Sequence, residues 1–196
     1  MTNLPPFLQQ LIDDAHLAAN PLQRIEHIVS KIVAMMDVPV ASFYLANGSG
    51  GLKLVAAKGL CTDTPKEILM QIGDGLIGTI AQTQHPLNLA CGKEHPNFHH
   101  FPETGEDQYC AFMGVPIIHT GQLVGVLSVE RIDCIKFSAF EESLLVTIAA
   151  HLGALSPTYF QLFNKRPLTG VDENRTARQW LQGAKGAPGI GIGRII

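Results

Sequence analysis

Four segments of this chain are apolar at odd and even positions alike, and this constrains its fold more than any other feature. Residues 39–46 (PVASFYLA) and 52–58 (LKLVAAK) flank the glycine-rich connection Asn47-Gly-Ser-Gly-Gly51, and residues 110–118 (CAFMGVPII) and 123–132 (LVGVLSVERI) flank His119-Thr-Gly-Gln122. Each pair reads as a β-hairpin, giving four strands joined antiparallel. Successive side chains of a strand point to opposite faces, yet Phe43 and Leu45 stand against Tyr44, and Leu123, Leu127 and Val129 stand against Val124 and Val126. A sheet of such strands must be covered on both faces.

Terminal helices supply one cover. Asn20-Pro21-Leu22-Gln23 offers an N-cap, a proline at the first helical position and a capping-box glutamine, and Leu22, Ile25, Ile28, Val29, Ile32, Val33 and Met36 recur at helical spacing until Pro39. A shorter helix is expected before it, with Leu8, Leu11, Ile12 and Ala15 on one side. Ser138-Ala-Phe-Glu141 is a capping box that opens the last long helix, whose stripe of Phe140, Leu144, Leu145, Ile148, Leu152 and Leu155 runs up to Pro157. The other face falls to residues 60–109, an irregular segment with one helix from Leu76 to Gln84. A lid built from loops over a sheet is where a pocket forms.

With 196 residues, 46% hydrophobic and 16% charged, the chain has the material for one domain with appendages. A net charge of −3, with 14 Lys and Arg and no basic run, points away from nucleic acid and from anionic membrane surfaces. No apolar run approaches the ~18 residues of a membrane span, and Met1-Thr-Asn-Leu-Pro-Pro lacks the features of a signal peptide, so a cytoplasmic protein is expected. Cys61, Cys91, Cys110 and Cys134 form no CxxC pair, which makes reduced thiols the expectation.

GDGLIGTIA at 73–81, HPNF at 95–98, FMGVPIIHTGQLVGVLSV at 112–129 and the helix after Phe137 together resemble a GAF domain, close to the variant in nitrogen-branch phosphoenolpyruvate-protein phosphotransferases (enzyme I-Ntr, PtsP type). The tail Gly186-Ala-Pro-Gly-Ile-Gly-Ile-Gly193 resembles the opening strand of the enzyme I phosphotransferase domain in that family. The resemblance implies an α+β, α/β/α-layered GAF fold, with a six-stranded antiparallel sheet, helices packed on one face and a lid over the other. It implies a sensor domain over 1–157, a connector over 158–184 and the first strand of a truncated enzyme I-like domain over 185–196. No phosphohistidine segment lies in the chain, so catalysis is expected past Ile196, with magnesium needed by the full-length enzyme and no cofactor in this chain. Implied partners are a small nitrogen metabolite (glutamine or 2-oxoglutarate), the enzyme I domain in cis, an HPr-like carrier and a second copy of the chain. Two alternatives stand beside the sensor: a ligand-free dimerisation or docking module, and a thiol-based enzyme of the free methionine sulfoxide reductase type using Cys91 and Cys110.

The candidate ligand-binding residues are Phe43, Gly75, Leu76, Ile77, Gly78, Thr79, Leu89, His95, Phe98, Tyr109 and Phe112. The amides of Gly75 to Gly78 and the Thr79 hydroxyl suggest an anion-friendly helix N-terminus, with Asp74 as N-cap. Gly73-x-Gly75-x-x-Gly78 matches a dinucleotide-binding pattern literally, but no parallel strand–helix–strand unit surrounds it, and the glycines are read as shaping the start of a helix. Cys91, His95, His99 and His100 have a spacing that suits a metal on successive helical turns; the ordinary reading is a polar loop, and no metal is expected. Phe98, Phe101, Tyr109 and Phe112 form an aromatic cluster that suits core and pocket wall alike.

Overall fold

The computed structural model describes residues 21–47, 50–60, 68–99 and 108–164, with side chains from Leu22 to Ala154. The expected first helix, the connector beyond Asn164 and the glycine-rich tail lie outside the described residues.

Helix α1 (Pro21–Met36) turns its apolar stripe inward, with Ile25, Ile28, Val29 and Ile32 all at most 2% exposed. It stops where Asp37 takes a left-handed φ of 50° and the Val38 amide returns to the Val33 carbonyl at 3.2 Å, a terminal bond that satisfies an otherwise orphaned acceptor just before Pro39. Strands β1 (Val40–Ala46) and β2 (Gly51–Lys58) form the first hairpin. Two short strands, β3 (Leu69–Gln71) and β4 (Leu87–Leu89), bracket helix α2 (Gly75–Thr83). A short 3-10 turn (Gly92–Glu94) follows, then the second hairpin, β5 (Ala111–His119) and β6 (Gln122–Arg131), and helix α3 (Ala139–Asn164).

The six strands form one antiparallel sheet in the order β3-β2-β1-β6-β5-β4, joined at its centre by β1 and β6. The apolar residues of both parities are used. Phe43, Leu45, Met113, Val115, Leu127 and Val129 join α1 and the α3 residues Leu145, Ile148 and Leu152 in one core. Tyr44, Leu52, Leu54, Phe112 and Val126 join Leu76, Ile77 and Ile80 of α2 in another. At ~1.5–3 kcal/mol for each large apolar side chain removed from water, these two layers supply the main drive for folding.

Several side-chain bonds hold α3 in register with the sheet. The capping box is formed as expected: the Ser138 amide donates to Glu141 Oε2 at 2.7 Å, and the Glu141 amide donates to Ser138 Oγ at 3.3 Å. Glu141 also pairs with Arg131 of β6, whose guanidinium carbon lies 3.9 Å from the centre of the Phe137 ring. Burial pushes the Glu141 carboxyl up, but the hydrogen bonds from Ser138 and the hydrogen bond and charge of Arg131 outweigh it and hold its pKa below that of an ordinary glutamate. From β4, Asn88 donates to the Phe137 carbonyl at 3.0 Å and to Glu142 at 2.8 Å, and accepts from the Phe137 amide at 3.2 Å.

Two expectations need correction. Cys110 and Cys134 are not free thiols but form a disulfide, with Cα atoms 5.0 Å apart. The hairpin register explains this, because pairing Ala111 with Arg131 brings the residue before β5 close to the segment after β6. Cys91 is free, and Cys61 lies outside the described residues. Helix α3 also runs through Pro157 to Asn164 instead of ending before the proline, although Pro157 has no amide hydrogen for the helical ladder.

Candidate functional site

The lid is positioned by a tight turn into α2. Gly75 has a φ of 66°, a conformation that side-chain-bearing residues seldom adopt, and the Gly73 amide closes the turn by donating to the Gly78 carbonyl at 2.8 Å. Gly78 is needed for a different reason. A Cβ there would stand 2.4 Å from the Gln71 carbonyl oxygen, so the helix rests directly on the backbone of the β3–α2 turn. Gly114 makes similar room in β5, where a Cβ would come within 2.4 Å of Ile80 Cδ1.

Between α2 and the sheet lies a small, partly open cavity of about 50 Å³. Tyr44, Phe112 and Glu130 border it from the sheet, Met70, Leu76 and Ile77 from β3 and α2, and Gly92, Lys93, Phe98, His99, Tyr109 and Cys110 from the segments before β5. At roughly 10–15 Å³ of such space per water it holds a few waters, well short of the ~300 Å³ of an open ligand cleft. Its charges are mixed, with Lys93 and His99 exposed at the mouth and the Glu130 carboxylate half-buried. Tyr109 is 8% exposed, and its hydroxyl donates to the Gly59 carbonyl at 3.1 Å and accepts from Gln108 at 3.0 Å. A larger open cleft lies beside α1 and β6, where Arg131 is already engaged by Glu141.

Of the residues singled out from sequence, Leu76, Ile77, Phe98, Tyr109 and Phe112 border the cavity. Gly75 lies just behind His99, the nearest atom to a Cβ there being His99 Cβ at 3.8 Å. Gly78 faces the Gln71 backbone instead of the cavity. The Thr79 hydroxyl is engaged, donating to the Gly75 carbonyl at 2.7 Å and accepting from Asn97 at 3.0 Å. Leu89 packs against the lid-side core without bordering the cavity. His95 Nδ1 accepts from the Asn97 amide at 3.2 Å, outside the cavity wall. Phe43 is the clear misplacement: it packs under the helices on the far side of the sheet, and its neighbour Tyr44 faces the cavity. Because both residues are apolar enough to be core, the alternation alone did not show which of them faces the lid.

Asp74 occupies the N-cap position of α2 without a side-chain capping bond; its Oδ1 lies 3.0 Å from His99 Nδ1. That pairing places a carboxylate at the helix start and weakens it as an anion site. The glycine pattern at 73–78 follows an antiparallel edge strand, not a parallel one. Among the described residues no cluster of His, Cys, Asp or Glu is arranged to hold a metal, and His100 and Phe101 lie outside them. Sequence reasoning missed Tyr44, Met70, Gly92, Lys93, Glu130 and the cavity-facing role of His99. Tyr44 and Glu130, side chains with polar ends on the mostly apolar strands β1 and β6, were the available signal.

A two-sided antiparallel sheet with helices on one face and a cavity under a helical lid on the other defines the protein class, and residues 20–155 match the GAF domain family, to which the chain belongs. Within that family it is similar to the GAF domain of a phosphoenolpyruvate-protein phosphotransferase (ptsP) from Coxiella burnetii, with 30% identity, a TM-score of 0.72 and coverage of 79% of this chain and 95% of that one. It is 32% identical over 149 residues to the phosphoenolpyruvate-dependent phosphotransferase system protein of Escherichia coli K12, a match covering 76% of this chain and 20% of that protein. A nif-specific regulatory protein of Azospirillum brasilense is 30% identical over 116 residues, covering 57% of this chain and 18% of that protein. The chain thus spans about a fifth of the length of these curated relatives. Among the described residues no helix is long and apolar enough to cross a membrane.

Proposed function

We propose that residues 1–157 are the regulatory, small-molecule-sensing domain of a phosphoenolpyruvate-protein phosphotransferase of the nitrogen phosphotransfer system, with a connector over 158–184 and the first strand of an enzyme I-like domain over 185–196. On this reading the chain does not catalyse by itself. The parent enzyme, cytoplasmic and magnesium-dependent, takes a phosphoryl group from phosphoenolpyruvate and passes it to an HPr-like carrier, and two copies pair through their terminal helices. The ligand is a small nitrogen metabolite, glutamine or 2-oxoglutarate.

The observation that carries this reading is the match of residues 20–155 to the GAF family together with the likeness to phosphotransferase GAF domains, and the lid cavity with Lys93 and Glu130 on its walls is the place it offers a ligand. Apolar surfaces with a few placed charges suit a small polar metabolite. The cavity is too tight for such a molecule as it stands, so binding requires α2 and the segments before β5 to give way. A ligand that favours the opened arrangement shifts the population towards it, and a ligand with equal affinity for both arrangements shifts nothing.

Thermal melts of this chain with L-glutamine or 2-oxoglutarate test the reading. At ~100 times its dissociation constant a ligand adds ~2.7 kcal/mol, or a rise of roughly 5–10 °C for a protein of this size. No rise with either compound replaces the sensor with a docking module. A second reading, a thiol-based reductase, draws on the Cys110–Cys134 disulfide at the cavity wall, with Cys91 free and its neighbour Gly92 donating to the Cys110 carbonyl at 2.8 Å. Reduction of free methionine sulfoxide by a thiol donor, abolished by Cys110→Ser, would establish it.

A further inference from the structure

One polar atom of the core has no visible purpose. Ser42, in the middle of β1, is 1% exposed, and its hydroxyl is the one buried side-chain polar atom among the described residues without a hydrogen-bond partner. Leaving a hydroxyl buried and unpaired costs about 1–3 kcal/mol, so such an atom calls for an explanation.

The strand register places it. Tyr44 pairs with Val126, Ser42 with Ser128, and Val40 with Glu130; across β5, Ser128 pairs with Gly114 and Glu130 with Phe112. Residues two apart on a strand share a face, so Ser42, Ser128 and Gly114 lie on the cavity side, in the row between Tyr44 and the Glu130–Phe112 pair. Tyr44, Glu130 and Phe112 all border the cavity. Ser42 and Ser128 do not border the cavity themselves, but their row passes between residues that do, and its positions on β1, β6 and β5 are all small, with Leu87 of β4 beyond Gly114. Ile80 covers the Gly114 end, and Ser128, like Ser42, is buried, at 2% exposed.

We infer that Ser42, with Ser128 beside it, is the inner, uncharged end of the ligand site, and that it selects an amino acid whose side chain ends in a neutral hydrogen-bonding group such as a carboxamide. This rests on the sensor reading above. A serine hydroxyl both donates and accepts, which matches a carboxamide. No cation lies in that row, and Lys93 and His99 are out at the exposed mouth. A carboxylate driven down to the serines would be desolvated without a counter-charge, at a heavy cost. The charged head of an amino acid stays outside, near Lys93 and Glu130, and the neutral end points inward. A diacid such as 2-oxoglutarate has no neutral end to place there.

The test is calorimetric titration of the whole chain, wild type and Ser42→Ala, with L-glutamine, L-glutamate and 2-oxoglutarate as probes, together with the melting temperature of each ligand-free protein. Wild type should bind glutamine more tightly than either acid. Ser42→Ala should weaken glutamine by roughly 3–10-fold, the value of one net hydrogen bond, and narrow its lead over glutamate. The ligand-free variant should melt no lower than wild type, since an unpaired hydroxyl is removed. A lower melting point would make Ser42 a structural residue and overturn the inference. So would unchanged glutamine affinity in a variant that folds, which leaves the sensor reading intact. Failure of wild type to bind any of the three probes removes both. Ser42→Cys, close in volume and a weak donor, should bind glutamine between the two, and an affinity equal to wild type would count against the hydroxyl.

Discussion

Gly78→Ala sets two well-measured tendencies against each other at one atom. In an open helix the change would stabilise α2 by about 1 kcal/mol through helix propensity. At this position the new Cβ would stand 2.4 Å from the Gln71 carbonyl oxygen, with the Gly73 nitrogen and carbonyl carbon at 3.1 and 3.2 Å. All three are backbone atoms, so no side-chain rotation relieves the overlap, and the turn must move by about an ångström to restore ordinary contact. Such overpacking costs about 1–3 kcal/mol, and more where the bond from the Gly73 amide to the Gly78 carbonyl is lost as well. The sign therefore reverses, to a net loss of ~1–2 kcal/mol and a melting temperature lower by roughly 2–8 °C. Calorimetric melts of wild type, Gly78→Ala and the exposed α2 control Gln82→Ala measure it, with the control expected near wild type. If Gly78→Ala melts at or above wild type, the close seating of α2 on the β3–α2 turn is wrong. The same contact means that lost ligand binding in this variant would report a shifted lid, not a missing ligand contact.

Reducing the Cys110–Cys134 bond, or replacing Cys134 with serine, should lower the melting temperature, since closing a loop of 24 residues contributes about 3 kcal/mol; melts with and without reductant measure the change. Glu141→Gln should cost roughly 0.5–1 kcal/mol at neutral pH, where the charge pair with Arg131 is lost. Because the folded protein holds the Glu141 pKa below that of an ordinary glutamate, the carboxylate's contribution is complete above the unfolded-state pKa and fades as pH falls through the lower native one, so the wild-type and Glu141→Gln melting curves should converge in acid. Asn88→Ala removes the partner of both the amide and the carbonyl of Phe137, and a loss of about 1–3 kcal/mol is expected in urea unfolding.

The two hairpins, α1, α2 and the start of α3 were legible within a residue or two, because each carries its own local signal: a turn, a cap or a period. Strands β3 and β4 were not read from their residues, since three positions carry no period, and only the resemblance called for a fifth and a sixth strand. The disulfide depends on the register between β5 and β6, which no spacing of cysteines encodes. Within the site, the aromatic residues before β5 and the apolar start of α2 were found, and Glu130 and Lys93 were not. Phe43 was assigned the wrong face for the reason that made the fold recognisable, namely that both parities of β1 are apolar. Ser42 is invisible to any apolar pattern, being a small polar residue in a strand whose neighbours suffice to bury it.

The sheet's outermost strands, Leu69–Gln71 and Leu87–Leu89, carry a consequence for assembly. An open strand edge is a template on which another chain can add a strand, and long flat edges invite aggregation. Three residues offer a foreign strand few unpaired peptide groups, although β5 runs on past β4 from Val115 to His119. Neither short strand carries a charged guard residue. Among the described residues the largest apolar side chain facing water is Phe140, 77% exposed on α3, so the helices offer a second copy more apolar surface than the sheet margins do.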